Sequence, residues 1–226
     1  MGSAQTGLNK TEVDGAIGEA ERCGAAVVET IKNGFIKMIK SLDENWGTQD
    51  GKNWVEGACQ TEMNSVIEKA AQNLSKVGQV ISAVANAQYQ DTQNTQRARS
   101  AKDIEKKVVK ETIDDHLSNN YVGVYTELQD DLKAKEQELI TELDTKLGEL
   151  QSKVIAKVDV AFNKVGAAGK VSSECTIYIN RVKNIVRNGV SKLNGEISTN
   201  VAKADEFVKS IQDAGLRGAN DGNGGN

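Results

Sequence analysis

SLDENWGTQDGKNW, residues 41 to 54, holds both tryptophans of the chain around two glycines. Ordinary turns take small polar residues, so a pair of large aromatic rings here needs a reason. The flanking periodicity supplies it. Before the stretch, apolar or small residues recur at Val13, Ile17, Ala20, Gly24, Val27, Ile31, Phe35, Met38 and Leu42, in steps of three and four that share one helical face. After it, Cys59, Met63, Val66, Ala70, Leu74, Val77, Ile81 and Val84 repeat the pattern. Residues 41–54 therefore read as the turn of a helical hairpin. Gly47 ends the first helix in the left-handed conformation, and Asp50 caps the second. Trp46 and Trp54 then lie on facing helix ends and cover the open end of the apolar seam. A turn this short makes the two helices antiparallel. Thr11 with Asp14 is expected as a capping box at the start of the first helix.

The composition agrees with long helices and few turns. The 226 residues include no proline, 4% aromatics and 27% charged side chains. The net charge of −4 is spread evenly along the chain. The densest basic run, RARSAKDIEKKVVK at residues 97–110, is diluted by Asp103 and Glu105 and has no aromatic ring to stack on bases. It reads as a solvated helix face, and no nucleic-acid partner is expected. No apolar run approaches the roughly 18 residues of a membrane span, and the start of the chain lacks the basic-then-apolar pattern of a signal peptide.

Two helices make one seam and leave two flanks open to water. Ala16, Ala20, Gly24, Ala25, Ala26, Ala58, Ala70, Ala71, Gly78 and Ala83 give the first hairpin a surface that another helical pair can approach closely. A second hairpin is expected to dock there. A hairpin of this length with a tryptophan beside a glycine in its turn resembles the WXG superfamily, small proteins exported by the type VII (ESX) machinery of Gram-positive bacteria. The resemblance covers about residues 9–92 and rests on Trp46 and Gly47, adjacent here, with Gly51 and Trp54 extending the motif.

The resemblance implies a non-enzymatic protein that pairs hairpin against hairpin. It would act as a secreted substrate, or as the pairing partner or chaperone of a larger effector. Its partner would be a helical protein, an effector leader or another WXG-like chain, or a second copy of itself. It also implies a secreted or cell-surface location after cytoplasmic synthesis, without a cleavable signal peptide. The family's export signal is a tyrosine followed four residues on by an acid. Here Tyr89, Tyr121, Tyr125 and Tyr178 are followed at that spacing by Gln93, Tyr125, Gln129 and Val182. Export is therefore expected to need a partner that carries the signal, and Trp46, Gly47, Gly51 and Trp54 are the candidate docking residues.

Past the glutamine-rich residues 86–99, Ser100 and Asp103 offer a second capping box, with apolar positions at Ile104, Val108, Ile113 and Leu117. SNNYVG at residues 118–123 reads as a break. A long stripe then runs from Val124 through Leu128, Leu132, Leu139, Leu143, Leu147, Leu150, Val154 and Val158 to Val165, and GAAG at residues 166–169 is a glycine turn. A last stripe follows through Val171, Cys175, Tyr178, Val182, Ile185, Leu193, Ile197, Val201, Val208 and Ile211. The expected chain is all-α, two long antiparallel hairpins in tandem, forming either a four-helix bundle or an elongated coiled coil. Its parts are a flexible start (1–10), the WXG-like hairpin (11–92), a polar connector with a helix (93–123), the second hairpin (124–212) and a disordered glycine- and asparagine-rich tail (213–226).

Catalytic chemistry finds little to use. His116, the single histidine, has Ile113, Thr112, Asn119 and Asn120 as its same-face neighbours, which is no metal set. Neither a phosphate-binding glycine loop, a nucleophile elbow nor an HExxH pattern occurs, and no cofactor is expected. Cys23, Cys59 and Cys175 read as small unpaired core residues, because the hairpin register sets Cys23 opposite Ser75 and Cys59 opposite Ile39. The alternative functions are a pore-forming or membrane-active long-helix toxin component and a structural coiled-coil protein.

Overall fold

A computed structural model gives the structure of the chain and describes residues 7–45, 49–89, 103–105, 108–111 and 121–221. The protein is all-α. Helix α1 spans Lys10–Asn45, α2 Gln49–Trp54, α3 Gln60–Gln88, α4 Tyr121–Phe162 and α5 Ala168–Asp221. A π-helical turn, Val55–Cys59, joins α2 to α3, and a 3-10 turn, Asn163–Val165, follows α4.

Helix α1 begins at a side-chain cap, although not the expected one. Asn9 Oδ1 accepts the backbone N–H groups of Thr11 at 2.9 Å and Glu12 at 3.3 Å, so two donors at the open helix end are satisfied from a cap that lies ahead of the expected Thr11–Asp14 pair. Leu8 packs against the core, and Gly7 lies beside Lys164 and Val165, so residues 7–10 belong with the bundle. Residues 1–6 of the expected flexible start lie outside the described residues.

The second hairpin turns at Gly166, whose φ of 68° is the left-handed conformation only glycine adopts without strain. The Gly166 N–H donates to the Asn163 carbonyl at 3.0 Å, and the Ala167 N–H donates to the Phe162 carbonyl at 3.2 Å. That pair of bonds is a Schellman closure, which satisfies the last carbonyls of α4 and reverses the chain within two residues. Gly169, expected in the turn, lies inside α5.

Helix α1 packs on α3 and α4, and α5 packs on the same two helices. The four long helices thus form a closed square in which every neighbouring pair is antiparallel. Gly24 meets Leu74 between α1 and α3, and Arg187 meets Asp144 between α4 and α5. Between the hairpins, Gly34 meets Leu139 and Lys37 pairs with Glu138, while on the other side Val66 meets Gly189 and Glu62 pairs with Lys192 at 2.6 Å. Of the two expected architectures, the four-helix bundle is the one formed. One hydrophobic cluster joins all four helices, with Phe35 and Phe162 its largest fully buried side chains.

Two glycines set how closely the hairpins approach. A Cβ at Gly34 would lie 2.5 Å from Leu139 Cδ1, and one at Gly189 would lie 2.4 Å from Val66 Cγ2. Neither separation is possible between real carbon atoms, so the small residue is what lets each helix pair come together. The faces around Ala71 and Gly24 are covered within the chain: Ala71 is fully buried, and Gly24 lies under Leu74 and Ile104.

The connector differs from expectation. Residues 103–105 and 108–111 are not helical, Ile104 and Val109 are buried, and Val108 is 63% exposed rather than facing a core. The physical reason is that the described residues run antiparallel to α3 from the level of Gly24 and Leu74 to that of Gln60, and an extended chain covers that distance in fewer residues than a helix. Ile113, His116 and Leu117 lie outside the described residues. The expected break at 118–123 is partly helix, because α4 starts at Tyr121. Helix α5 also runs on to Asp221, where a disordered tail was expected from residue 213. Adding residues to an existing helix needs no new nucleus, so even glycines near its end are carried along.

Candidate functional site

Two of the four candidate docking residues, Gly51 and Trp54, are described, and both lie at one end of the bundle. Trp46 and Gly47 lie outside the described residues. Gly51 is buried within α2, and Trp54, at its last position, is half-buried and packed against the core. Asp50, expected as a cap, sits inside α2 instead. The rings at this end therefore include one, Trp54, that covers part of the seam while leaving part of its surface to solvent.

The π turn that follows has a sequence cause. Gly51, Val55, Cys59 and Met63, all buried, are spaced by four without a step of three. On an α-helix each such step overshoots one turn by about 40°, so the fourth residue would leave the core face. One wider turn at 55–59 takes up the excess, and all four residues stay inward. Thr61 Oγ1 donates to the Gly57 carbonyl at 2.8 Å within the same turn. Burial pushes the Cys59 thiol up to about 12.

Around this end, Ser41 of α1 donates its hydroxyl to the Asp131 carboxylate of α4. Helix α5 passes alongside and outruns its neighbours. Among the described residues of α5, Val201 is the last buried one, and the described residues from 202 to 215 are exposed, including Ile211 at 55%.

Halfway along the bundle lies an arrangement that the sequence reading missed. Residues 103–105 and 108–111 form a strap over the groove between α1 and α3. The Asn64 side-chain amide of α3 grips Val109 twice, donating from Nδ2 to the Val109 carbonyl at 3.0 Å and accepting the Val109 N–H on Oδ1 at 2.5 Å. One turn away, Gln60 Nε2 donates to the Glu111 carbonyl at 2.9 Å. Ile104 is buried beside Gly24, and the Glu111 carboxylate lies 3.9 Å from Lys40 Nζ on α1. The only hint in the sequence is a pair of amides at 60 and 64 on one helix face, a spacing that surface residues often share.

The cysteines are free and buried. Burial pushes Cys175 up to about 12 and raises Cys23, and Cys175 Sγ donates weakly to the Val77 carbonyl at 3.7 Å. Among the described residues, no group of three His, Cys, Asp or Glu side chains could hold a metal ion, and no helix is long and apolar enough to cross a membrane. His116 lies outside the described residues. No family model matches the chain, and neither a curated protein nor a solved structure matches it.

Proposed function

We propose that this chain is a non-enzymatic helical protein of a bacterial type VII secretion system, in which the second hairpin takes the place that a separate partner holds in WXG proteins. The supporting observation is the packing of the α1–α3 hairpin on the α4–α5 hairpin, with Gly34 and Gly189 at the two closest approaches. A chain that satisfies its own seam is better suited to travel as a folded substrate than to serve as a chaperone for another protein's helices. The companion it still needs is one that carries the tyrosine export signal, docking at the turn of Trp46, Gly47, Gly51 and Trp54, where Trp54 leaves part of its surface to solvent.

Secretion from a Gram-positive host carrying the machinery tests this reading. The chain is expected in the medium only when the membrane ATPase of the system is intact and a signal-bearing helical protein is co-expressed. Release from a strain lacking the ATPase contradicts the proposal. Leakage of dye from liposomes at micromolar protein would instead favour the pore-forming alternative.

A further inference from the structure

We propose that the groove between α1 and α3 is a binding site for an extended polypeptide, that residues 103–105 and 108–111 occupy it in cis, and that a protein partner bearing a segment of the same pattern can take their place. This goes beyond the export reading and stands whether or not the chain is secreted.

The strap shows what the groove accepts. Asn64 and Gln60 bond only to main-chain atoms of the strap, so these contacts would be made equally to any extended segment. Asn64 supplies a donor and an acceptor to one residue, as the edge of a β-strand does for its neighbour. Three of the described positions supply selection. Ile104 and Val109 are the buried anchors, five residues apart, and Glu111 offers a carboxylate to Lys40 two residues further on. Val108, between the anchors, faces solvent and is not read. The occupant is thus a segment with an apolar residue, a second one five positions later, and an acid two beyond that.

The strap is also the part of the fold most readily exchanged. Its described residues belong to no helix or strand. Only two of its side chains enter the core cluster, whereas the four long helices supply nearly all the rest. The groove is therefore built by α1 and α3 packed on each other and backed by the second hairpin. Segments with few buried contacts open at much lower free energy than the core around them.

The test uses the full chain and a fluorescein-labelled peptide, DIEKKVVKE, the sequence of residues 103–111. In the wild-type chain the tethered strap competes at high effective concentration. The I104D/V109D variant, which removes both anchors of the tethered copy, should bind the peptide at least about tenfold more tightly. Adding N64A to that variant should abolish the gain. No gain in a variant whose circular dichroism and melting remain those of the bundle overturns the proposal, and so does a gain that N64A leaves intact. If the double variant fails to fold, amide hydrogen exchange on the wild-type chain decides. Val109 should exchange at least about tenfold faster than the buried amides of α3. Equal protection would mean that the strap opens only when the whole bundle unfolds, and the site would not be exchangeable.

Discussion

The interface between the hairpins and the strap across the first hairpin both cover apolar surface of α1 and α3, yet they do so by different physics. Between hairpins, side chains interdigitate, glycines remove the atoms that would hold helices apart, and one cluster runs through all four helices. The described part of the strap instead leans on two apolar anchors, hydrogen bonds from side-chain amides to its main chain and the Lys40–Glu111 pair. Dense packing fixes shape and resists exchange, because each atom has many neighbours. Main-chain hydrogen bonds fix position while leaving sequence free. One chain therefore carries an interface that it needs in order to fold beside one that it could trade.

The largest expected effect comes from breaking the first of these. Phe35→Ala should cost about 3–5 kcal/mol, the range for removing a large ring from a packed core. Because the cluster is shared, the loss should be felt by both hairpins at once. Urea unfolding followed by Trp54-region fluorescence and by helical circular dichroism should give coincident transitions, and separate transitions would show two independent units. Gly189→Ala comes next. It gains up to about 1 kcal/mol of helix propensity but forces a methyl group onto the stiff Val66 side chain, a clash costing about 1–3 kcal/mol, so the net change is destabilising. Val66→Ala in the same chain should recover most of the loss, which a double-mutant cycle would record.

Asn64→Ala sharpens the contrast from the other side. It leaves the Val109 N–H and carbonyl without their partner and should cost about 1–2 kcal/mol. The cost should fall on the strap: exchange at Val109 should accelerate while amides of α4 and α5 keep their protection. Uniform acceleration would place the strap in the same cooperative unit as the core.

The smallest effect is set by pH. Cys59 and Cys175 have folded-state thiols pushed up to about 12 from an ordinary value of 9.0, so the folded chain holds those protons after the unfolded chain has lost them. Stability from this source is complete below about pH 8.5 and falls as pH rises above 9, by roughly 1 kcal/mol per thiol at pH 10. Melting curves of Cys59→Ala and Cys175→Ala between pH 8 and 10 should show a shallower decline than wild type, and identical slopes would mean that the thiols are not desolvated.

Much of the helical fold was legible because period and spacing carry it. Steps of three and four mark α1, α3, α4 and α5, and the absence of proline leaves nothing to interrupt them. The turn at Gly166 was legible as well, since a glycine after a long stripe is a strong stop. The cap at Asn9 was not, because asparagine and threonine compete for that role and the winner depends on where the chain enters the helix. The strap was read as a helix because Ile104 and Val108 stand four apart, a spacing that an extended chain can also contain. What decides between them is the distance the connector must cover and the amides waiting at Gln60 and Asn64, and both are properties of the folded bundle. Of the candidate docking residues, Gly51 and Trp54 are placed together at one bundle end, while Trp46 and Gly47 fall outside the described residues.

The central claim, that the second hairpin of the same chain covers the first, can be tested with no mutation at all. A carbodiimide joins a lysine to a carboxylate only where the two touch, and Lys37–Glu138 and Lys192–Glu62 are such pairs on opposite sides of the interface between hairpins. Treated at low micromolar concentration and sized by chromatography with light scattering, the chain should remain a monomer of 24.3 kDa, and mass spectrometry of that monomer should find both cross-linked pairs. If the two cross-links appear only in a dimer fraction, each hairpin is covered by another molecule, and the self-paired bundle is contradicted.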